Sequence, residues 1–177
     1  MASQSTILGA AGEHYVMCEL LRRGYIAALA PSGVPNADIV VMDIDAVRLW
    51  AIQVKARREI GSDGGWHMKK KHEMIEASHL LYCFVDFGTS LSEQPSTFII
   101  PSSVVARVLR ESHQRWLSNP GKKGQPHKDT IMRRLRPDYE NIFGDTPNDL
   151  RKGWLERYRD AWDLLGPPQQ SVEIESD

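Results

Sequence analysis

Four polar side chains stand where the surrounding pattern calls for apolar ones. Two runs rich in valine and isoleucine, Asp38-Ile39-Val40-Val41-Met42-Asp43 and Val47-Arg48-Leu49-Trp50-Ala51-Ile52-Gln53-Val54-Lys55, are joined by the short break Ile44-Asp45-Ala46. They read as an antiparallel hairpin of neighbouring strands. Side chains alternate along a strand, so Leu49, Ala51, Gln53 and Lys55 share one side while Trp50, Ile52 and Val54 share the other. One side therefore ends in an amide and an ammonium about 7 Å apart, two strand rises. Burying a lysine is costly unless an anion meets it, and Asp38, at the head of the adjacent strand, is the nearest one. Glu13 is the fourth anomaly. On a helical projection of residues 10–23 it falls at the centre of the apolar stripe formed by Ala10, Val16, Met17, Leu20 and Leu21. A carboxylate there either shifts its pKa or needs a cation; a helix-start position favoured by the helix dipole is the bland alternative.

The elements that must position these groups follow in order. Ala10 to Arg23 predicts a helix closed by Gly24, and Tyr25 to Ala30 a first strand. Pro31 to Asn36 is a turn-rich loop before the hairpin. Ala56 to Gly65 reads as a polar loop and Trp66 to Ser78 as a second helix carrying Lys69, Lys70 and Lys71. His79 to Phe87 is a buried central strand, Thr97 to Ile100 a further strand, and Val104 to about Leu117 a helix opened by Pro101 and two serines. Asn119 to Asp129 is a surface loop. Trp154, Leu155, Tyr158, Trp162 and Leu165 predict an amphipathic terminal helix over Arg151 to Leu165, followed by an acidic tail expected to be disordered. This gives an α/β fold, a central mixed sheet of four or five strands flanked by helices over residues 1–118, with residues 119–177 as a basic loop, C-terminal helix and tail.

The 177 residues, 41% hydrophobic and 25% charged, have an ordinary globular composition. No apolar run reaches the length of a membrane span and no secretory signal opens the chain, so a cytoplasmic protein without membrane contact is expected. Cys18 and Cys83 are read as reduced, buried small hydrophobes. A net charge of −1 excludes coating of nucleic acid by bulk charge. It conceals a polarity, however. Between Arg107 and Arg136 nine lysines and arginines face only Glu111 and Asp129, whereas from Pro137 onward ten acidic residues outnumber four basic ones. The two segments either pair with each other or expose a phosphate-binding surface, in which Lys122, Lys123, Arg133 and Arg134, with Lys69 and Lys70, would contact nucleic acid.

The order of elements, with Glu13 on the first helix, Asp38 at the head of one strand and Gln53-Val54-Lys55 at the end of the next, resembles the PD-(D/E)XK nuclease superfamily. The likeness covers roughly Gly9 to Phe87. It implies a metal-dependent endonuclease hydrolysing DNA phosphodiesters, with Mg²⁺ as cofactor and Mn²⁺ as substitute. Asp38 then matches the aspartate of the motif, Gln53 its variable acidic position, Lys55 its lysine, and Glu13 the helix-borne glutamate of many branches. Metal ligands would be Glu13, Asp38, Gln53 and the Val54 carbonyl, while Lys55 would orient the attacking water or stabilise developing charge. DNA is the implied partner, and a homodimer is an open assembly state.

The departure is Gln53, whose amide oxygen can ligate a metal but supplies no charge and no base. Asn36-Ala37 stands where the motif has proline. The rival class is a catalytically inactive nuclease fold that binds nucleic acid or a protein. A zinc site from His67, His72, His79 and Cys83 lacks compact ligand spacing, and a purely structural Lys55–Asp38 ion pair is the remaining alternative.

Overall fold

Three antiparallel ladders and one parallel one build the main sheet. The computed structural model describes residues 3–43, 48–58, 64–121 and 123–166. Helix α1 (Gln4–Arg22) is followed by β1 (Ile26–Leu29), β2 (Ile39–Met42), β3 (Leu49–Arg57), β4 (Trp66–Lys69), a 3-10 turn (Lys70–Met74), β5 (Leu80–Asp86), β6 (Ser96–Pro101), α2 (Ser102–Ser118), β7 (Met132–Leu135) and the short α3 (Glu140–Phe143). A five-stranded sheet runs in the order β1-β2-β3-β5-β6, and β4 and β7 form a separate two-stranded sheet. Within the large sheet only β3 and β5 are parallel, so it is mixed, as the sequence predicts. The residues between β2 and β3 that were expected to form the break, Ile44-Asp45-Ala46, lie outside the described residues, as does the acidic tail.

The central strand β5 shows how the layers form. Its residues Leu80 to Val85 are all buried, because helices cover both faces of the sheet. Leu81, Cys83 and Val85 face α1 with Val16, Leu20, Ile52 and Val54. Leu80, Tyr82 and Phe84 face α2 and the small sheet, with Val105, Leu109, Trp66, Met68 and Leu135. Val16 and Leu20 are fully buried, each stabilising the fold by about 1.5–3 kcal/mol. The stripe on α1 is narrower than the projection suggested: Leu21 is 52% exposed, and Cys18 is exposed as well, which corrects its assignment to the interior.

Two elements differ from expectation. Trp66 to Ser78 is strand β4 followed by a 3-10 turn, instead of a helix. Trp66 and Met68 are buried while His67 and Lys69 are exposed, an alternation of period two, and β7 supplies the partner that makes the strand possible. That partner comes from within the basic segment. The C-terminal segment is likewise no continuous helix; it has 3-10 turns at Glu156–Tyr158 and Trp162–Leu165. Its apolar residues serve opposite faces of the sheet, Trp154 and Leu155 joining the α2 side and Trp162 and Leu165 the α1 side. The chain rounds edge strand β6 between them, bridging Arg159 to Phe98 and donating Asp160 N–H to the Thr97 carbonyl at 3.0 Å. A straight helix cannot reach both faces, and the wrap shields an edge otherwise open to pairing.

Helix α1 comes closest to the sheet at Gly12. A Cβ there would lie 2.7 Å from Ala56 Cβ and 3.3 Å from Val54 Cγ1. Gly9, on the same helix, has no heavy atom within 4 Å of the equivalent position. Gly9→Ala should therefore stabilise the protein by about 0.5–1 kcal/mol through helix propensity. Gly12→Ala should destabilise it by about 1–3 kcal/mol through overpacking. Urea denaturation of the pair checks this; equal effects would mean that α1 does not approach β3 as described.

Candidate active site

The site is built where the β2–β3 ladder stops. Ala51 N–H donates to the His79 carbonyl and Phe87 N–H to the Arg57 carbonyl, so odd-numbered residues of β3 direct their backbone groups toward β5. Even-numbered residues direct theirs toward β2. Ile52 carbonyl accepts from Asp38 N–H at 2.9 Å, the last backbone bond of this kind, after which Val54 N–H donates to Asp38 Oδ2 at 2.7 Å. A side-chain carboxylate has replaced the next backbone rung. The strands part there, and the Val54 carbonyl, on the same side as its N–H, points into the gap. Asp38 is fixed on its other flank too, since its carbonyl accepts from the N–H of Ala30, the residue after β1, at 2.9 Å.

Glu13 reaches this gap from above. Helix α1 starts at Gln4, capped by Ser3 whose hydroxyl accepts from Thr6 N–H, so Glu13 sits mid-helix and the dipole explanation does not apply. Its carboxyl is held above the ordinary glutamate range, chiefly by burial and next by the charge of Asp38, with His14 and Lys55 opposing. The close seat of Gly12 on Val54 and Ala56 explains why: it presses the following residue toward the fork.

Gln53 and Lys55 project from the opposite face of β3, beside Tyr82 and Phe84 in the register of β5. Burial holds the Lys55 ammonium below the usual lysine range; Asp38 and Glu13 favour its charge, and Lys71 and Lys69 oppose it. No direct ion pair joins Lys55 to Asp38 among the described residues, which removes the simple structural ion pair. Gln53 is 7% exposed, and its Oε1 is buried without a hydrogen-bond partner. Tyr82 Oη and His72 Nδ1 are also buried and unpartnered, with their rings 5.9 Å apart. Burial and then Lys55 push the His72 imidazole down to about 4, so it is neutral at physiological pH, while burial raises the Tyr82 hydroxyl to about 12.

The sequence singles out Glu13, Asp38, Gln53 and Lys55, and names His72 only as a zinc candidate. It does not single out Gly12 or Tyr82. Tyr82 was legible as the one hydroxyl on the Gln53 side of an apolar strand, whereas His72 depends on a 3-10 turn that the pattern did not announce. The carboxylates of Asp38 and Glu13 lie near each other at the end of the ladder, and the buried Gln53 oxygen lacks a partner. Among the described residues no group of three or more histidine, cysteine and acidic side chains could hold a metal, so an ion here would lean on the neutral oxygens. The zinc alternative fails on placement, because His72 packs on the α2 side and Cys83 on the α1 side.

The expected nucleic-acid contacts divide. Lys69 is exposed, Lys70 pairs with Asp129 at 2.8 Å, and Lys123 sits in an exposed turn. Arg133 is a correction: its buried guanidinium pairs with Glu73 and, at 3.1 Å, with Asp129, which removes it from the surface. Arg134 lies beside a cavity on β7. Lys122 lies outside the described residues. Pairing between the basic and acidic segments is seen at Arg107, bound to Asp149 at 2.8 Å. Among the described residues no helix is long and apolar enough to cross a membrane.

No family model and no curated protein matches the chain. Solved structures do. A bacterial homing endonuclease, I-Ssp6803I, superposes with a TM-score of 0.51 and 16% identity over 93% of this chain and 92% of that one. Hjc, a Holliday junction resolvase from the archaeal hyperthermophile Archaeoglobus fulgidus, does so with a TM-score of 0.41 and 14% identity over 76% of this chain and 85% of that one. The fold is thus a restriction-endonuclease-like α/β fold, a mixed five-stranded sheet flanked by helices.

Crowding of carboxylates gives the site a pH signature. Because the Glu13 pKa is raised on folding, its contribution favours the folded state below its unfolded pKa, near 4.5, and is lost as pH rises through the folded value. In metal-free protein Glu13→Gln should therefore stabilise the fold at pH 7–8, with the advantage vanishing toward pH 4. Thermal melts across that range read it directly; a destabilised variant at pH 8 would contradict the crowding.

Proposed function

We propose that the protein is a metal-dependent endonuclease hydrolysing DNA phosphodiester bonds. The observation that supports this most is the end of the β2–β3 ladder, where Asp38 takes the Val54 N–H and the charges of Glu13 and Lys55 act on Asp38 and on each other, with the buried, unpartnered Gln53 oxygen on the other face of β3. Each orphaned or crowded group costs the fold stability. A divalent cation offsets several of these costs at once, and fits the donor set better than any side chain nearby.

Glu13, Asp38, the Val54 carbonyl and Gln53 would hold Mg²⁺, or Mn²⁺ in its place. Such an ion supplies positive charge to the phosphate and lowers the pKa of the attacking water. The chain's own groups do the rest. Asp38, its backbone held between Ala30 and Ile52, presents a carboxylate of fixed direction. Lys55, partly desolvated, would offer its ammonium to the negative charge that accumulates as the phosphorus gains a fifth oxygen, an interaction that strengthens toward the transition state. The neutral His72 and un-ionised Tyr82 behind Gln53 add no charge that would compete for the ion. Lys69, Lys123 and Arg134 would contact the DNA backbone, and Lys70 shares its charge with Asp129.

The amide at position 53 favours a second reading, a catalytically silent nuclease fold that binds DNA or a protein, because it withholds a charge that catalysis uses. Cleavage assays on duplex, branched and single-stranded DNA in Mg²⁺ and Mn²⁺ separate the two. Asp38→Asn should abolish cleavage and leave DNA binding intact or tighter, since it removes ligand charge and repulsion toward phosphate together. Lys55→Ala should lower kcat/KM by about 10²–10³. Gln53→Glu should change metal preference more than rate if Gln53 is a working ligand. Wild-type protein inert on every substrate, or activity first appearing with Gln53→Glu, would establish the silent fold.

A further inference from the structure

A second site lies on β7, outside the fork. A cavity of about 480 Å³ is walled by Trp116 of α2, Met132, Arg134 and Arg136 of the β7 segment, and Tyr139 and Ile142. That volume falls within the roughly 300–1,000 Å³ of sites that enclose a small organic ligand. Its walls carry arginines and no carboxylate. Arg133 is already neutralised by Glu73 and Asp129, so the uncommitted chemistry rests with Arg136.

Arg136 is held as a fixed donor. Its backbone N–H donates to Tyr139 Oη at 3.0 Å, its carbonyl accepts from Trp154 Nε1 at 3.0 Å, and its Nη1 has one long bond of 3.3 Å to Asn141. Its Nε is shielded from solvent and has no acceptor. Tyr139 Oη donates in turn to the Arg134 carbonyl at 3.0 Å, so one hydroxyl ties down both arginine backbones. The Arg136 side chain lines the cavity with no carboxylate against its guanidinium, a charge that an oxyanion can meet. The other walls include apolar side chains: Met132 is 46% exposed, Ile142 joins it, and the Trp116 ring is already stacked on His127 at 3.9 Å and 8° and on His113 at 5.4 Å. An anion joined to an apolar ring, as in a nucleotide, matches both kinds of wall.

The position of the cavity says which nucleotide. Met132 pairs with Lys69 in the β4–β7 ladder, and Lys71, two residues further on, donates to Asn36 Oδ1 at 3.1 Å, two residues before Asp38. The cavity is therefore one ladder rung from the basic edge that leads to the fork. We propose that it receives a single unstacked nucleotide of a DNA strand bound at the fork, its phosphate on Arg136 and its base against Met132 and Ile142. This rests on the reading of DNA as the ligand of the fork, and it makes DNA with unpaired nucleotides the preferred substrate class.

Binding can be measured in EDTA, without cleavage, using duplexes that contain or lack a short unpaired tract bearing 2-aminopurine. Wild type should bind the unpaired tract about tenfold more tightly than the paired duplex and change the probe's fluorescence. Arg136→Gln should erase that preference while leaving paired-duplex affinity within about twofold, and Arg136→Lys should restore part of it. Met132→Glu, at an exposed position that does not burden folding, should erase it by charge alone; thermal melts confirm both folds. Equal wild-type affinity for the two DNAs would overturn the proposal, as would variants that weaken both equally, the behaviour of a plain phosphate contact, or that weaken neither. Cleavage by wild type alongside such a result would leave the nuclease reading standing; an Arg136-dependent preference without cleavage would retain this site and remove the catalytic one.

Discussion

The hydrogen bond from Val54 N–H to the Asp38 carboxylate is the constraint on which the site depends. It ends the β2–β3 ladder with a side chain instead of a carbonyl, at 2.7 Å, and so separates two strands that would otherwise stay zipped. The separation turns the Val54 carbonyl loose toward a gap and leaves room for Glu13 to arrive from α1. Antiparallel pairing on one side of β3 and parallel pairing on the other keep the strand straight through this change, because β5 holds residues Ala51 to Arg57 continuously. The fork is thus a local break in a strand whose other edge is fully supported.

The same arrangement is a liability in the absence of a ligand. Glu13 and Asp38 repel, Lys55 is desolvated, and Gln53, Tyr82 and His72 keep buried polar atoms without partners. Buried polar groups are almost always satisfied, and orphans gathered at one place are a feature of sites that await something. The packing around them is ordinary by contrast, with the Trp66, Tyr82 and Phe84 rings in edge and stacked contacts on one face and aliphatic side chains on the other. Stability comes from the two cores, and the fork draws on it.

Much of the site was legible because its anomalies break strong patterns. Glu13 interrupts an apolar stripe, and Gln53 and Lys55 end a strand that begins with Leu49 and Ala51; these are local signals that need no tertiary information. The interior place of β5 was legible from its length and hydrophobicity, which suit burial on both faces. What stayed hidden depends on partners distant in sequence. β4 is a strand because β7 lies beside it, and nothing between Trp66 and Lys69 names Met132 to Leu135 as that neighbour. Arg133 looks like any surface arginine until Glu73, sixty residues away, claims it. The terminal segment has helical periodicity, yet its tryptophans are divided between the two faces of the sheet, and only the position of β6 determines that.

The central claim is that a divalent cation sits in the fork, bounded by Asp38, Glu13, Gln53 and the Val54 carbonyl. Paramagnetic broadening by Mn²⁺ in amide NMR spectra locates such an ion without any catalytic step. The account predicts that substoichiometric Mn²⁺ broadens the amides of Glu13, Asp38, Val54 and Lys55 first, that Mg²⁺ reverses the effect, and that Asp38→Asn abolishes it. Broadening centred elsewhere, or spread evenly over the acidic surface, would contradict it.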